Sequence, residues 1–178
     1  MFRLYFVGGT FGAGKSTLCQ TLSPLLPAEH LKASDLVGYT RDPSDPTGKA
    51  TGKLLSNQER LIVAIEARRM AQGTVLLDGH FCLLDDTYKV VRLPVNVFQR
   101  IQPSALVLIE PDPAEVVLRL ERRDQGQLDP VLIHQLLHAE REHGQTISEA
   151  LSVPIMTVDA STAAEDIVTF LQASTQDS

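Results

Sequence analysis

The sequence predicts an α/β fold in which a parallel sheet is covered by helices on both faces. Apolar, β-rich runs alternate with helical patterns from one end of the chain to the other, and strands joined through helices run parallel with right-handed crossovers. Two strand segments, Val75-Leu76-Leu77 and Leu106-Val107-Leu108-Ile109, are continuous apolar runs, as burial on both faces requires. A glycine-rich turn follows the first strand and leads straight into a helix. At 178 residues the chain corresponds to about one domain, and residues 1–178 are read as such, with no internal repeat.

Each element has its own warrant. Residues 2–7 are a short β-rich run stopped by Gly8-Gly9. A helix over residues 16–26 ends before Pro27, and residues 30–33 make a second strand. Residues 38–53 are rich in Gly, Pro, Ser, Thr and Asp and show no periodicity; so long a loop is a substrate cover or a disordered segment. Helical spacing returns over residues 56–72, where Leu61, Ile62, Ile65 and Met70 share a face. Ser56 and Glu59 form a capping box there, and Gly73 is the stop. Residues 74–78 are the third strand, 94–101 a short helix and 105–110 the fourth strand. Asp112 and Glu115 cap the next helix, with Pro113 at its first position, and it runs to about residue 124. Asp129-Pro130 opens a long helix to about residue 151. Residues 154–159 are the fifth strand and 162–173 the closing helix, followed by a polar tail over 174–178.

Composition excludes several functions. With 16 basic and 22 acidic residues the net charge is −6, the wrong sign for general nucleic-acid binding. Tryptophan is absent and aromatics are 5%, so stacking platforms for single strands are scarce. Apolar runs fall far short of a membrane span, and the N-terminus lacks a signal peptide's apolar core and cleavage site. Two cysteines, Cys19 and Cys82, make no disulfide framework and read as small apolar residues of a reduced, cytoplasmic protein.

The strongest motif is Gly9-Thr10-Phe11-Gly12-Ala13-Gly14-Lys15-Ser16, which fits G-x-x-x-x-G-K-[ST] between a strand and a helix. Gly9, Gly12 and Gly14 allow the backbone to turn its N–H groups inward, and these donors with the helix N-terminus hold an anion. Lys15 reaches the β- and γ-phosphates of ATP, and the Ser16 hydroxyl ligates Mg²⁺. Phe11, Ala13, Thr17 and, from a later helix, Arg119 complete the nucleotide-binding set.

Other candidates are read beside their structural alternatives. Asp78 ends the third strand on the crevice edge of the sheet, where it holds Mg²⁺ through water or simply starts a turn. His80 orients a water, touches a phosphate or is structural. Asp35, after the second strand, binds or deprotonates an acceptor, joins the metal's water shell, or caps the following helix. Arg119 and Arg123 share a helix face before the short connection Gln125-Gly126-Gln127. They stabilise transferring phosphate or compensate the helix dipole. Arg141 reaches inward or pairs with Glu140 or Glu142. His134 and His138 have metal-ligand spacing but no H-E-x-x-H setting, and read as partly exposed helix residues. Lys49 and Lys53 clamp an acceptor phosphate or belong to a solvated loop.

Taken together, the single phosphate loop, Ser34-Asp35-Leu36, Asp78-Gly79-His80 and Arg119-Leu120-x-x-Arg123 resemble the P-loop nucleoside monophosphate kinase group, adenylate kinase-like. The resemblance is nearest to the short-lid forms: archaeal-type adenylate kinases and the adenylate kinase-like ATPases of ribosome assembly. It implies a three-layer P-loop NTPase fold with a five-stranded parallel sheet in the order 2-3-1-4-5. It implies MgATP on Lys15 and Ser16, an acceptor-binding region over residues 34–72, and a short lid over 119–130 carrying Arg119 and Arg123. The chain departs from the group where acceptor-site arginines are expected, reading Leu36-Val37-Gly38-Tyr39 and Gly79-His80-Phe81; Arg41, Arg60 and Arg92 are the available substitutes. The acceptor is thus a nucleoside monophosphate, or, alternatively, a hydroxylated metabolite as in gluconate and shikimate kinases. A third reading is an ATPase coupled to a protein partner.

Overall fold

β1 (Phe2–Gly8) is the centre of the structure, because its side chains alternate between two cores. Leu4 and Phe6 enter one apolar cluster, Tyr5 and Val7 the other. The computed structural model describes residues 1–38, 54–85, 87–124 and 129–174. β1 is followed by α1 (Lys15–Leu25), β2 (Ala28–Lys32), a single turn α2 (Ala33–Leu36) and α3 (Leu54–Arg68). β3 (Gly73–Asp78), β4 (Cys82–Leu84), β5 (Val90–Arg92) and α4 (Val95–Ile101) come next. The chain ends with β6 (Ala105–Ile109), α5 (Pro113–Asp124), α6 (Pro130–Leu151), β7 (Ile155–Val158) and α7 (Ala164–Ala173).

Five parallel strands form the main sheet in the order β2-β3-β1-β6-β7, which is the expected 2-3-1-4-5 once the separate β4–β5 hairpin is set aside. Leu61, Ile62 and Ile65 of α3, Phe98 and Ile101 of α4, and Leu136 and Ile147 of α6 cover one face. Cys19 and Leu22 of α1 and Ile167 and Leu171 of α7 cover the other. Phe6, Phe81 and Phe98 pack as an aromatic trio with centroids 4.9 to 5.6 Å apart, each pair adding about 0.5–1.5 kcal/mol beyond its burial. β1 ends on glycine because a Cβ on Gly8 would lie 2.2 Å from the Phe81 ring. Among the described residues no helix is long and apolar enough to cross a membrane.

Several boundaries differ from the sequence expectation. The antiparallel hairpin β4–β5 was not expected, since each of its strands is three residues long. β2 starts at Ala28, and the residues after it turn helical at once. α3 ends at Arg68, which leaves Met70 91% exposed and outside the apolar face. Asp112 accepts from Ala114 N at 2.8 Å as a cap should, but Glu115 pairs with Arg119 in place of completing the box. Asp129 caps α6 as read, accepting from Val131 N at 2.8 Å. Residues 39–53, the side chain of Ser56, residues 125–128 and 175–178 lie outside the described residues, and with them the long loop, Arg41, Lys49, Lys53, the first capping box and the connection after Arg123.

The hairpin is held to α6 by polar anchors. His143, buried on α6, contacts the Leu93 carbonyl through Nε2 at 2.6 Å. Burial holds this imidazole below the ordinary histidine range, with nearby Arg92 lowering it further and the bond to Leu93 opposing. The unfolded chain therefore binds a proton at a higher pH than the folded one, and this contribution to stability is lost as pH falls below about 6.5. His143→Gln keeps a donor for Leu93 without the titration. Thermal melts at about pH 7.5 and about pH 5.5, either side of that value, should show a smaller acid-side drop in His143→Gln than in the natural protein. Equal drops would mean that His143 does not contribute.

Candidate active site

The loop between β1 and α1 opens at the carboxyl edge of the sheet. Gly9, Gly12 and Gly14 take φ of +148°, +72° and +96°, a region that side chains resist. Gly14 is the N-cap of α1, no side chain caps the helix, and no acidic residue lies in its first turn. The positive end of α1 is thus left facing the loop, the arrangement that receives an anion. Lys15 is buried, and its Nζ donates to the Gly9 and Thr10 carbonyls at 2.9 and 2.8 Å. Ala13 is buried and Thr17 exposed. The Phe11 ring lies 5.2 Å from the His80 ring.

Asp78 closes the far side of this loop. β1 and β3 pair with Val7 opposite Asp78, so the end of β3 stands beside the start of α1. Ser16 Oγ donates to Asp78 Oδ2 at 2.5 Å. From β2, His30 Nε2 lies 3.6 Å from the same oxygen. Burial first, then the charge of Asp78, push the Cys19 thiol far above its ordinary value, with Lys15 opposing, so Cys19 is a packed thiol and no nucleophile.

The turn after β3 is clamped by Glu140 of α6, which is 1% exposed. Its two oxygens accept from Phe81 N at 3.0 Å and Cys82 N at 3.2 Å, and His80 Nδ1 lies 3.5 Å away. Burial and then Glu140 push the Cys82 thiol up to about 12. His80 is therefore sandwiched between the phosphate loop and α6.

On the other flank, Arg119 Nη1 donates to the Gly12 carbonyl at 3.0 Å, and Nη2 to Glu115 at 2.5 Å. Arg119 thus touches the phosphate loop, and the side chain of Arg123 lies outside the described residues. Arg141 does not pair with Glu140 or Glu142. It grips Glu110, at the end of β6, through both Nε and Nη2, which raises its pKa further. Glu142 instead takes Arg92 at 2.7 Å, with His138 at 3.5 Å. Glu110, Glu115, Arg141 and Asp159 line a cavity of about 600 Å³, and exposed His134 and His138 stand on its α6 wall. Asp35 is exposed within α2, not at its N-cap, with Ser34 Oγ 3.4 Å from it. Arg60 donates to the Val37 carbonyl at 3.2 Å.

Three of these residues escaped the sequence reading. Glu140 and His143 sit at helical spacing with Leu136 and Ile147 on the buried stripe of α6, and charged or polar residues on such a stripe are the signal. His30 offered none, since β2 buries only Leu31 fully.

Residues 8–134 match the family described as an AAA domain. An adenylate kinase of Saccharolobus islandicus (strain M.14.25 / Kamchatka #1) is 24% identical over 194 residues, covering 95% of this chain and 99% of that protein. Shikimate kinase from Acinetobacter baumannii, solved in complex with shikimate, superposes with a TM-score of 0.64 at 16% identity, over 98% of this chain and 95% of the other. Deoxyadenosine kinase from M. mycoides with bound dATP gives 0.55 at 15% identity, over 96% and 97%. The two structural likenesses establish the fold.

The Glu140 clamp is measurable as stability. Glu140→Ala leaves two buried peptide N–H groups without acceptors, and urea unfolding should show a loss of about 2–4 kcal/mol, with a smaller loss for Glu140→Gln. A change within about 0.5 kcal/mol, the size of an ordinary surface substitution, would contradict the clamp.

Proposed function

The chain belongs to the AAA domain family, and from that footing we propose that it is an ATP-dependent phosphotransferase, adenylate kinase-like, moving the γ-phosphate of ATP to a small acceptor. The observation that carries the reading is the Ser16–Asp78 hydrogen bond of 2.5 Å beside Lys15 and the uncapped start of α1. Ser16 and Asp78 fit a magnesium ion, because a hydroxyl and a carboxylate are hard oxygen donors that Mg²⁺ accepts alongside water and phosphate. Bound there, the ion would neutralise charge on the β- and γ-phosphates.

The residues of the chain divide the work. The glycine loop and the α1 terminus hold the phosphates through backbone N–H groups. Lys15 exchanges its loop carbonyls for phosphate oxygens. The cavity beside Glu115 and Asp159 offers room for the nucleoside part of ATP. An acceptor oxygen forms the new bond to the γ-phosphorus while the bond to the β–γ bridging oxygen breaks and ADP leaves. Arg119, and Arg123 from the same helix face, stabilise charge on the transferring group. Where the acceptor is a hydroxyl, Asp35 takes its proton. Residues 34–72 are the acceptor-binding region and 119–130 the short lid. The free, buried thiols of Cys19 and Cys82 support a cytoplasmic setting.

A hydroxylated metabolite as acceptor is a second reading with its own support. Arginines stand at neither place where the resemblance expects them, Arg60 is engaged by Val37, and Arg92 is paired with Glu142 on the hairpin. A panel of nucleoside monophosphates and hydroxylated sugars and acids, with coupled detection of ADP, separates the two. One class should stimulate ADP release, and Asp35→Ala should lower that stimulated rate while leaving basal ATP hydrolysis within about twofold, since a base contributes only to transfer. No stimulation by either class, with basal hydrolysis untouched by Asp35→Ala, would favour an ATPase that serves a protein partner.

A further inference from the structure

His30 is a polar side chain beside the Ser16–Asp78 pair that has no role in the reading above. It lies on β2, opposite Leu76 of β3, and so shares the sheet face of Asp78 two residues further on. That face looks toward α1, where Leu76 joins the cluster of Cys19 and Leu22. His30 Nε2 is buried and makes no hydrogen bond among the described residues, yet it lies 3.6 Å from Asp78 Oδ2. A buried ring nitrogen without a partner is unfavourable, and a carboxylate oxygen this close is the natural one. The same oxygen already accepts from Ser16. Asp78 Oδ1 takes no hydrogen bond from any described residue.

We infer that His30 is the positioning residue for Asp78, with its Nε2–H facing Oδ2 from the β2 side so that Oδ1 is kept for the water shell of the bound cation. The inference rests on the reading that Ser16 and Asp78 hold Mg²⁺. The physical basis is general: a carboxylate that serves a metal works only when held in orientation, and the partner that holds it contributes to metal affinity without touching the metal. Two donors on one oxygen, Ser16 from α1 and His30 from β2, prevent rotation of the carboxylate about its Cβ–Cγ bond. His30 needs only a few tenths of an ångström to come within bonding distance of Oδ2.

Calorimetric titration with ADP, in the presence of Mg²⁺ and in its absence, tests this without turnover. The ratio of the two affinities is the gain due to the metal. His30→Leu should reduce that gain roughly tenfold or more, with metal-free ADP affinity within about twofold of the natural protein. His30→Gln places an amide N–H near the position of Nε2 and should keep most of the gain. His30→Asn, whose amide stops at the level of Nδ1, should behave like His30→Leu and replaces it if the leucine variant does not fold. An unchanged gain in His30→Leu or His30→Asn would overturn the inference, as would an equal loss in His30→Gln, which would reduce His30 to packing. Absence of any metal gain in the natural protein would instead remove the Ser16–Asp78 reading, and the inference with it.

Discussion

The hydrogen bond from Ser16 to Asp78 joins residues that lie far apart in the sequence, and most of the fold serves to make it. It needs β1 and β3 to be parallel neighbours in a register that puts Val7 opposite Asp78. It needs a loop after β1 that returns α1 to the sheet edge, which glycines in left-handed conformations provide. It also needs both faces of β1 covered, since a strand with Leu4 and Phe6 on one side and Tyr5 and Val7 on the other has no stable solvent-exposed state. Position and chemistry coincide here because the first element of the main core is also the base of the phosphate loop.

The other constraint is electrostatic. A buried carboxylate is tolerated only when its oxygens are satisfied. Glu140 meets that condition with the peptide N–H groups of Phe81 and Cys82, which fixes the turn that follows Asp78. His143, one helical turn along, holds the returning strand at the same open end of the hairpin, through Leu93 opposite Phe81. Helix α6 is thus a polar brace for the segment that links β3 to α4, and His80 lies between this brace and Phe11 of the phosphate loop. Arg119 makes the corresponding contact on the opposite flank, at the Gly12 carbonyl.

The elements that sequence reasoning recovers are those whose signal is local and long. The phosphate loop combines a fixed spacing with a strand before it and a helix after it, and each residue type has one physical reason. The central strands β1, β3 and β6 are apolar runs, whereas β2 at the sheet edge buries only Leu31 fully; the order of the sheet follows from the family that the chain resembles. Strands of three residues, as in β4 and β5, fall below the length at which periodicity can be read. Ion pairs are the least legible, because they depend on which elements meet. Arg141 has two acidic neighbours in sequence yet pairs with Glu110 from β6, and Glu115 leaves its capping role for Arg119. His30 is legible only from the β2–β3 register, which no pattern within β2 encodes.

The phosphate loop is the place where ATP reacts in the proposed chemistry, and Lys15→Ala tests that point most directly. The measurement is ADP production from MgATP by the natural protein and by Lys15→Ala, each shown by thermal melting to be folded. Loss of the ammonium removes the charge that faces the transferring phosphate, and the account predicts a fall in turnover of roughly a hundredfold or more. Undiminished turnover in a folded Lys15→Ala protein would contradict it.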